Sequence, residues 1–447
     1  MIEKRQFPRI SANFPIRINS EFLGQTIDIN ETGLSFVLKK PLLLSRAQAK
    51  IELSPDESLA TEFNVIWNKQ LVSKGAFTYG VCFIRLKEKD LDVLRKIIAK
   101  STVLDERFVA VTQQFNNYLR NIQAEFEKFD IKNLTEKSRI QFVESEKGEI
   151  FRKLDYYFTK SWKIIMNFGN ESYKLHQRYY QKNLDEILIN PVEINRYIRQ
   201  KPLGYPGDFI TMNYIYDYHE AGYLGTSSFE KMINNYTCNI PISYSNIVRK
   251  IFFKEKILDT INNDKDAKIA SVGCGSAREL IEVLLESNIK NHVKFLCVDF
   301  EKKALEYVRE QVKKIDGDKA KSVSIEYSHK NILDLAKSKK LEAQFKDQNL
   351  IYASGIFDYL SDRFCKRLLK QLYDLLPRGG TLIICNASAE NHSHRAYYEI
   401  LGDWKMIHRT REELLSWTKE ISSAAEIKFE QPHNFVNYLF LSITKND

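Results

Sequence analysis

Residues Ile269 to Val272 form a short apolar strand-like run. It breaks into Gly273-Cys274-Gly275 and resumes as a helix-forming segment from Glu279 to Leu285. A strand that turns through paired glycines into a helix marks an α/β unit. Glycine takes positive φ at little cost and lets another group approach the backbone with no Cβ in the way. A second apolar run, Val293 to Val298, delivers Asp299, and an acid at that place in a βαβ unit accepts hydrogen bonds from a ribose diol. Position 278, where a dinucleotide-binding fold carries its third glycine, is Arg278. Tight packing on a pyrophosphate is therefore not expected. The spacing points to a ligand with an adenosine-like part.

Composition sets the frame around this unit. A chain of 447 residues exceeds one ordinary core, so two or three domains are expected. Its 43% hydrophobic and 12% aromatic content is that of a folded protein. No run approaches the ~20 apolar residues of a membrane span. The start, Met1 to Arg5, lacks the apolar centre of a secretion signal. The six cysteines show no Cys-x-x-Cys spacing, which suggests reduced thiols in a cytoplasmic protein and no metal site. A net charge of +9 permits an anionic ligand or peripheral contact with a membrane surface. It does not argue for nucleic acid.

Two later segments extend the α/β pattern. Asn349 to Leu360 reads as a strand ending in a loop, and Leu375-Leu376-Pro377-Arg378-Gly379-Gly380 leads into a strand from Thr381 to Asn386. Together with the first glycine loop, these resemble the class I methyltransferases that use S-adenosylmethionine, over residues 240–447. The resemblance implies a Rossmann-like α/β domain with a mainly parallel seven-stranded sheet. It implies that Gly273, Cys274 and Gly275 pass the methionine part of the cofactor and that Asp299 holds its ribose. Asn331 and Ile332 would lie near adenine, with Ser354, Phe357 and Asp358 at the mouth of the cavity.

The first hundred residues have another texture. Short β-like stretches at 14–18, 24–28, 34–38, 50–53, 62–67 and 76–83 alternate with turn residues, and a charged helix follows from Glu88 to Ala99. This suggests a small antiparallel barrel. Lys4, Arg5 and Arg9 crowd its start, and the turn Asp28-Ile29-Asn30-Glu31-Thr32-Gly33 separates two strands. Arg5 and Arg9 match the Arg-x-x-x-Arg of the PilZ domain, and Asp28 and Gly33 match its Asp/Asn-x-Ser-x-x-Gly. The segment resembles that family, which binds cyclic di-GMP. The resemblance implies a nucleotide site of Lys4, Arg5, Arg9, Asp28, Asn30 and Gly33. Guanidinium forks suit phosphate oxygens and the guanine O6/N7 edge. Asn30 stands where the family has serine, and its greater bulk would weaken binding.

Residues 102–198 are rich in charge and carry aromatics at helical spacing, such as Phe108, Val111 and Phe115, then Phe151, Leu154, Phe158 and Trp162. Such stripes are ordinarily packing surfaces; a lid over a greasy substrate is the sharper alternative. The expected domains are 1–100, a helical linker or lid at 101–200, and 201–447. Lys201 to Asn213 is dense in Gly and Pro, and would hold Tyr205 and Asp208 in set directions. With Trp404, Ile407 and Arg409 it resembles methyltransferases described as making 3-hydroxypalmitic acid methyl ester, which carry Arg where this chain has Lys201. That implies a small-molecule acceptor of fatty-acid type, contacted by Tyr205, Asp208 and Arg409.

A fatty carboxylate, with a pKa of ~4–5, is already ionised at neutral pH and requires no general base. A hydroxyl or amine acceptor would require one, and Asp358, Tyr205, His392 and His394 would be the candidates. The reading is a methyltransferase responsive to cyclic di-GMP. The alternative is a non-catalytic effector that uses the same fold as a binding platform. The oligomeric state is left open.

Overall fold

The computed structural model of the chain describes residues 10–11, 14–53, 58–71, 76–132, 135–287, 289–315, 321–332, 334, 345–390, 394–432 and 435–446. It divides into two compact units: Met1–Tyr118 with Lys160–Leu184, and Leu119–Thr159 with Asp185–Asp447.

The first unit is built on a barrel of β1 (Ile10–Ser11), β2 (Pro15–Ile18), β3 (Phe22–Asn30), β4 (Gly33–Leu38), β5 (Arg46–Glu52), β6 (Ser58–Leu71) and β7 (Ala76–Arg85). All pairings are antiparallel, in the order β3-β2-β5-β6-β7-β4, and β4 pairs back onto β3. That closure leaves six strands without a free edge, and β1 is added outside on β3. Alternation fills the interior: Ala47, Ala49 and Ile51 of β5 point inward with Ile16, Ile18, Leu34, Phe36, Phe63 and Val81. Helix α1 (Glu88–Thr102) contributes Leu94, fully buried, to that core. At one end the Leu42 amide donates to the Tyr79 hydroxyl at 2.6 Å.

The middle segment is not one piece. Helices α2 (Glu106–Lys132) and α3 (Glu136–Ile165) each contribute residues to both units, and α4 (Asn170–Leu184) belongs to the first. Their aromatic stripes are packing surfaces: Phe108, Phe115, Leu154 and Phe158 are fully buried. No helix among the described residues is long and apolar enough to cross a membrane.

In the second unit, α5 (Glu193–Gln200), α6 (Phe209–Ala221), α7 (Ser228–Asn239) and α8 (Pro241–Asn263) precede a sheet. Helix α8 opens with Pro241, whose fixed φ and missing N–H suit a first helical turn. The sheet comprises β8 (Asp266–Val272), β9 (His292–Asp299), β10 (Val323–His329), β11 (Leu350–Ala353), β12 (Thr381–Ala387), β13 (Glu426–Glu430) and β14 (Tyr438–Thr444). Helices α9 (Arg278–Glu286), α10 (Lys302–Lys313) and α11 (Asp362–Asp374) alternate with the strands. The order is β10-β9-β8-β11-β12-β14-β13, parallel except where β14 runs against both neighbours.

Both faces of the sheet are covered, which explains the continuous apolar runs. Ala267 and Ile269 of β8 pack with Phe252 and Phe253 of α8 and Leu280 of α9. Ala270 and Val272 pack on the opposite side with Leu368, Leu369 and Leu372 of α11. Strand order reverses between β8 and β11, and open α/β sheets bind ligands outside the carboxyl ends of the strands at such a reversal.

Candidate active site

A cavity of about 410 Å³ opens at that reversal. Its floor is the glycine turn after β8. Gly273 has φ +70°, and a Cβ there would stand 2.1 Å from Ile356 Cδ1. Gly275, at φ +52°, would meet nothing closer than Phe209 at 3.8 Å. The amides of Gly273 and Cys274 both donate to the Val298 carbonyl, at 2.7 and 3.0 Å, which ties the turn to the end of β9. Asp299 follows there. One carboxylate oxygen accepts from the Gly275 amide at 2.9 Å and the other from the Glu301 amide at 2.8 Å. Burial pushes this carboxyl above its ordinary pKa, and the backbone amides act against that push.

Gly273, Cys274, Gly275, Asp299, Asn331, Ile332, Ser354, Asp358, Tyr205 and Asp208 all line the cavity. Phe357 does not. It is fully buried in the core beneath, and its neighbour Ile356 reaches the cavity instead.

Several candidates for chemistry are engaged elsewhere. Asp208 caps α6: its Oδ1 accepts from the amides of Ile210 and Thr211 at 3.0 and 2.9 Å, and its Oδ2 from Tyr197 at 2.9 Å. Tyr205 is pushed far above the ordinary phenol range, by burial first and then by the negative Asp299, Asp208 and Glu301. A tyrosinate base is thereby disfavoured. His394 Nε2 lies 2.8 Å from Asp155 Oδ1 and outside the cavity lining. His392 lies outside the described residues. Asp358 remains, with its carboxyl raised to about 6 by burial, against the pull of Arg249, the Ala387 amide and Tyr438.

Arg409 is a clamp beneath the cavity rather than part of its wall. It is 2% exposed. Its nitrogens donate to the carbonyls of Phe357 (2.8 Å) and Leu360 (2.5 Å), to Asn386 Oδ1 (2.7 Å) and to Asp362 Oδ1 (2.9 Å). The loop after β11 is therefore held from behind. The two segments quoted together from the sequence do meet: Lys201 pairs with Asp403 at 2.6 Å. Gly207, at φ +73°, leaves room for the Trp404 ring, which a Cβ would approach to 2.3 Å. Trp404 donates to the Tyr359 hydroxyl at 2.7 Å.

Sequence reasoning missed Arg249, Asn246, Glu279 and Tyr438, all of which line the cavity. Glu279 accepts from Tyr352 at 2.8 Å and is raised by burial. Nothing in their local sequence distinguishes them from ordinary helix and strand residues.

In the barrel, Asp28 is half-buried, while Asn30 is buried and consumed by its own turn. Its Oδ1 accepts from the Thr32 amide (3.0 Å), the Thr32 hydroxyl (3.0 Å) and the Gly33 amide (2.9 Å). Gly33 is required by closure, because a Cβ would stand 2.1 Å from the Val81 carbonyl oxygen. Lys4, Arg5 and Arg9 lie outside the described residues.

The C-terminal sheet is thus a seven-stranded, mainly parallel α/β sheet with a cavity at its strand reversal, and the N-terminal strands close into a six-stranded antiparallel barrel. Residues 3–100 match the family model of the PilZ domain, so the chain carries a PilZ domain at its N-terminus. None of the curated proteins matches the chain. A possible exported protein from Bordetella parapertussis is a similar solved structure, with 15% identity, TM-score 0.41, 57% of this chain covered and 95% of the other. Magnesium protoporphyrin IX methyltransferase from Synechocystis PCC 6803, with bound S-adenosylmethionine, has 9% identity and TM-score 0.33, covering 46% and 84%. The Bacillus subtilis inhibitor of motility has 20% identity and TM-score 0.19, covering 21% and 48%.

Proposed function

We propose that the protein is an S-adenosylmethionine-dependent methyltransferase whose N-terminal PilZ domain responds to cyclic di-GMP. The observation that carries the catalytic half is the glycine-floored cavity at the strand reversal, with the Asp299 carboxylate fixed beside it by the Gly275 and Glu301 amides. The residues fit the cofactor: positive-φ glycines leave an open cradle, and Asp299 can accept from a ribose diol. When bound, the cofactor supplies a sulfonium methyl group ready for displacement. The chain's own residues then have to bind, exclude water and align, and alignment alone can contribute up to ~7–11 kcal/mol to such a step.

The acceptor reading that fits best is a carboxylate of fatty-acid type, which would become a methyl ester. The cavity lining combines Met212, Ile242, Ile356, Trp404 and Met406 with carboxylates that already accept hydrogen bonds from the protein and so are poorly placed to act as a base. An ionised carboxylate requires none. Asp358 and Tyr205 line this cavity, and the Tyr205 ring lies against Phe300 with ring centres 5.1 Å apart. In the barrel, the PilZ match supports a cyclic di-GMP site with Lys4, Arg5, Arg9, Asp28, Asn30 and Gly33 as its proposed residues.

Calorimetry on the full chain tests both halves. S-adenosylhomocysteine is expected to bind the wild type. In Gly273→Asp, where the side chain meets Ile356 and φ is unfavourable, binding is expected to be lost. Asp299→Ala should weaken it strongly. Unchanged affinity in both variants would overturn the cofactor reading. Labelled methyl transfer into a cell lipid extract tests catalysis, and binding without transfer would leave the domain as a platform. Arg5→Ala with Arg9→Ala should abolish binding of cyclic di-GMP; unaltered binding would remove the sensor half.

A further inference from the structure

Four carboxylates line the cavity: Asp208, Glu279, Asp299 and Asp358. Each already accepts hydrogen bonds from the protein, Asp358 from the Ala387 amide (2.7 Å) and the Tyr438 hydroxyl (2.9 Å). A buried cation faces the same space with no carboxylate in direct contact, the charge of Asp358 acting on it from further off. Arg249, on α8, is 7% exposed. Its guanidinium donates to Asn246 Oδ1 and lies over the Tyr438 ring, 4.5 Å from the centroid. Among the described residues it makes no ion pair within 4.0 Å. Its Nε is buried and has no hydrogen-bond partner.

The backbone makes room for this group. Gly355, at φ +95°, follows β11, and a Cβ there would stand 2.7 Å from Arg249 Nη1. The guanidinium is thus packed against the loop at the strand reversal. A buried guanidinium with an idle N–H is costly unless something completes its shell. Its planar fork matches a carboxylate through two parallel hydrogen bonds.

We propose that Arg249 is the carboxylate-holding residue of this cavity, receiving the carboxylate of a small molecule bound beside Gly355. The proposal rests on the cofactor reading of the same cavity. Two sources supply that chemistry, the amino-acid end of the cofactor and the acceptor.

Binding to the full-length protein distinguishes them. Wild type, Arg249→Gln and Arg249→Lys are titrated with S-adenosylhomocysteine and with 5′-methylthioadenosine, which lacks the amino-acid end. Decanoate is titrated onto protein saturated with S-adenosylhomocysteine. If the cofactor's carboxylate is held, Arg249→Gln weakens S-adenosylhomocysteine roughly 10- to 100-fold and leaves methylthioadenosine unchanged. If the acceptor's is held, both nucleosides bind as in wild type and decanoate binding is lost. Arg249→Lys keeps the charge without the fork and should fall between; it carries the test if the glutamine variant does not fold. Equal affinity of all three probes in wild type and variant overturns the assignment, as does equal weakening of both nucleosides. A wild type that binds neither nucleoside overturns the cofactor reading itself, and the assignment with it.

Discussion

Two buried arginines in the C-terminal unit make opposite use of the same side chain. Arg409 spends its donors on two carbonyls, an amide oxygen and a carboxylate, and its guanidinium lies 4.7 Å from the centre of the Trp417 ring. It is finished before any ligand arrives. Arg249 is buried to a similar degree but keeps an idle Nε and stands in the cavity wall. Burial alone therefore does not distinguish a structural arginine from a binding one. The state of its hydrogen-bond shell does, because an incomplete shell in a low-dielectric site is tolerated where a ligand completes it.

The comparison predicts unequal costs for removing the two groups. Arg409→Ala strands the Phe357 and Leu360 carbonyls and the Asn386 amide oxygen, all held from behind the loop after β11. A loss of about 3–5 kcal/mol in unfolding free energy is expected, measured by denaturant titration of the full chain. Arg249→Gln should cost far less in the same titration without ligand. Equal losses would break the distinction.

Asp358 provides the next test, since it lies under the pull of both cations. Burial raises its pKa to about 6 in the native protein, against ~3.9 in the unfolded chain. Between those values the native state binds the extra proton. Stability is therefore greatest at the acid side of that window and falls as pH rises from about 4 through about 6. The largest size of this term is roughly 3 kcal/mol. Asp358→Asn should flatten the slope of stability against pH relative to wild type over that window. Glu279 and Asp299 are raised by burial too and act with the same sign, so the difference between the two curves is the quantity to read. In Arg249→Gln the loss of a facing positive charge should move the Asp358 step to higher pH. A step that stays in place would show the two groups to be uncoupled.

The parts of this site that were legible in the sequence are those where backbone geometry restricts residue choice. Positive φ at Gly273 and Gly275, and two covered faces on β8, leave visible marks in the order of glycines and apolar residues. The barrel was legible for the same reason, through alternation in strands such as β5. Arg249 was not, because one arginine in a helix reads as a solvated residue until α8 is seen to bring it into the cavity lining. Arg409 was expected at the acceptor because it accompanies Trp404 in the chain, yet the shared segment sends Trp404 to the cavity and Arg409 beneath it. Phe357 differs from Ile356 in the same way, by one residue's change of direction in a short helical turn. Periodicity also could not show that α2 and α3 would each be divided between two units.

The smallest predicted effect carries the same logic into the barrel. Asn30 resembles Arg409 rather than Arg249: its buried Oδ1 is consumed by the Thr32 amide, the Thr32 hydroxyl and the Gly33 amide. That turn orients β3 into β4, the pair that closes the barrel. Asn30→Ala should therefore cost about 1–2 kcal/mol, seen as faster hydrogen exchange at the Thr32 and Gly33 amides in the full chain. Asn30→Ser, which restores the residue usual in PilZ domains, keeps an oxygen on a shorter arm and should lose about half as much. If Asn30→Ala leaves exchange at these amides unchanged, the amide oxygen does not hold the turn, and its role has to be sought in ligand contact instead.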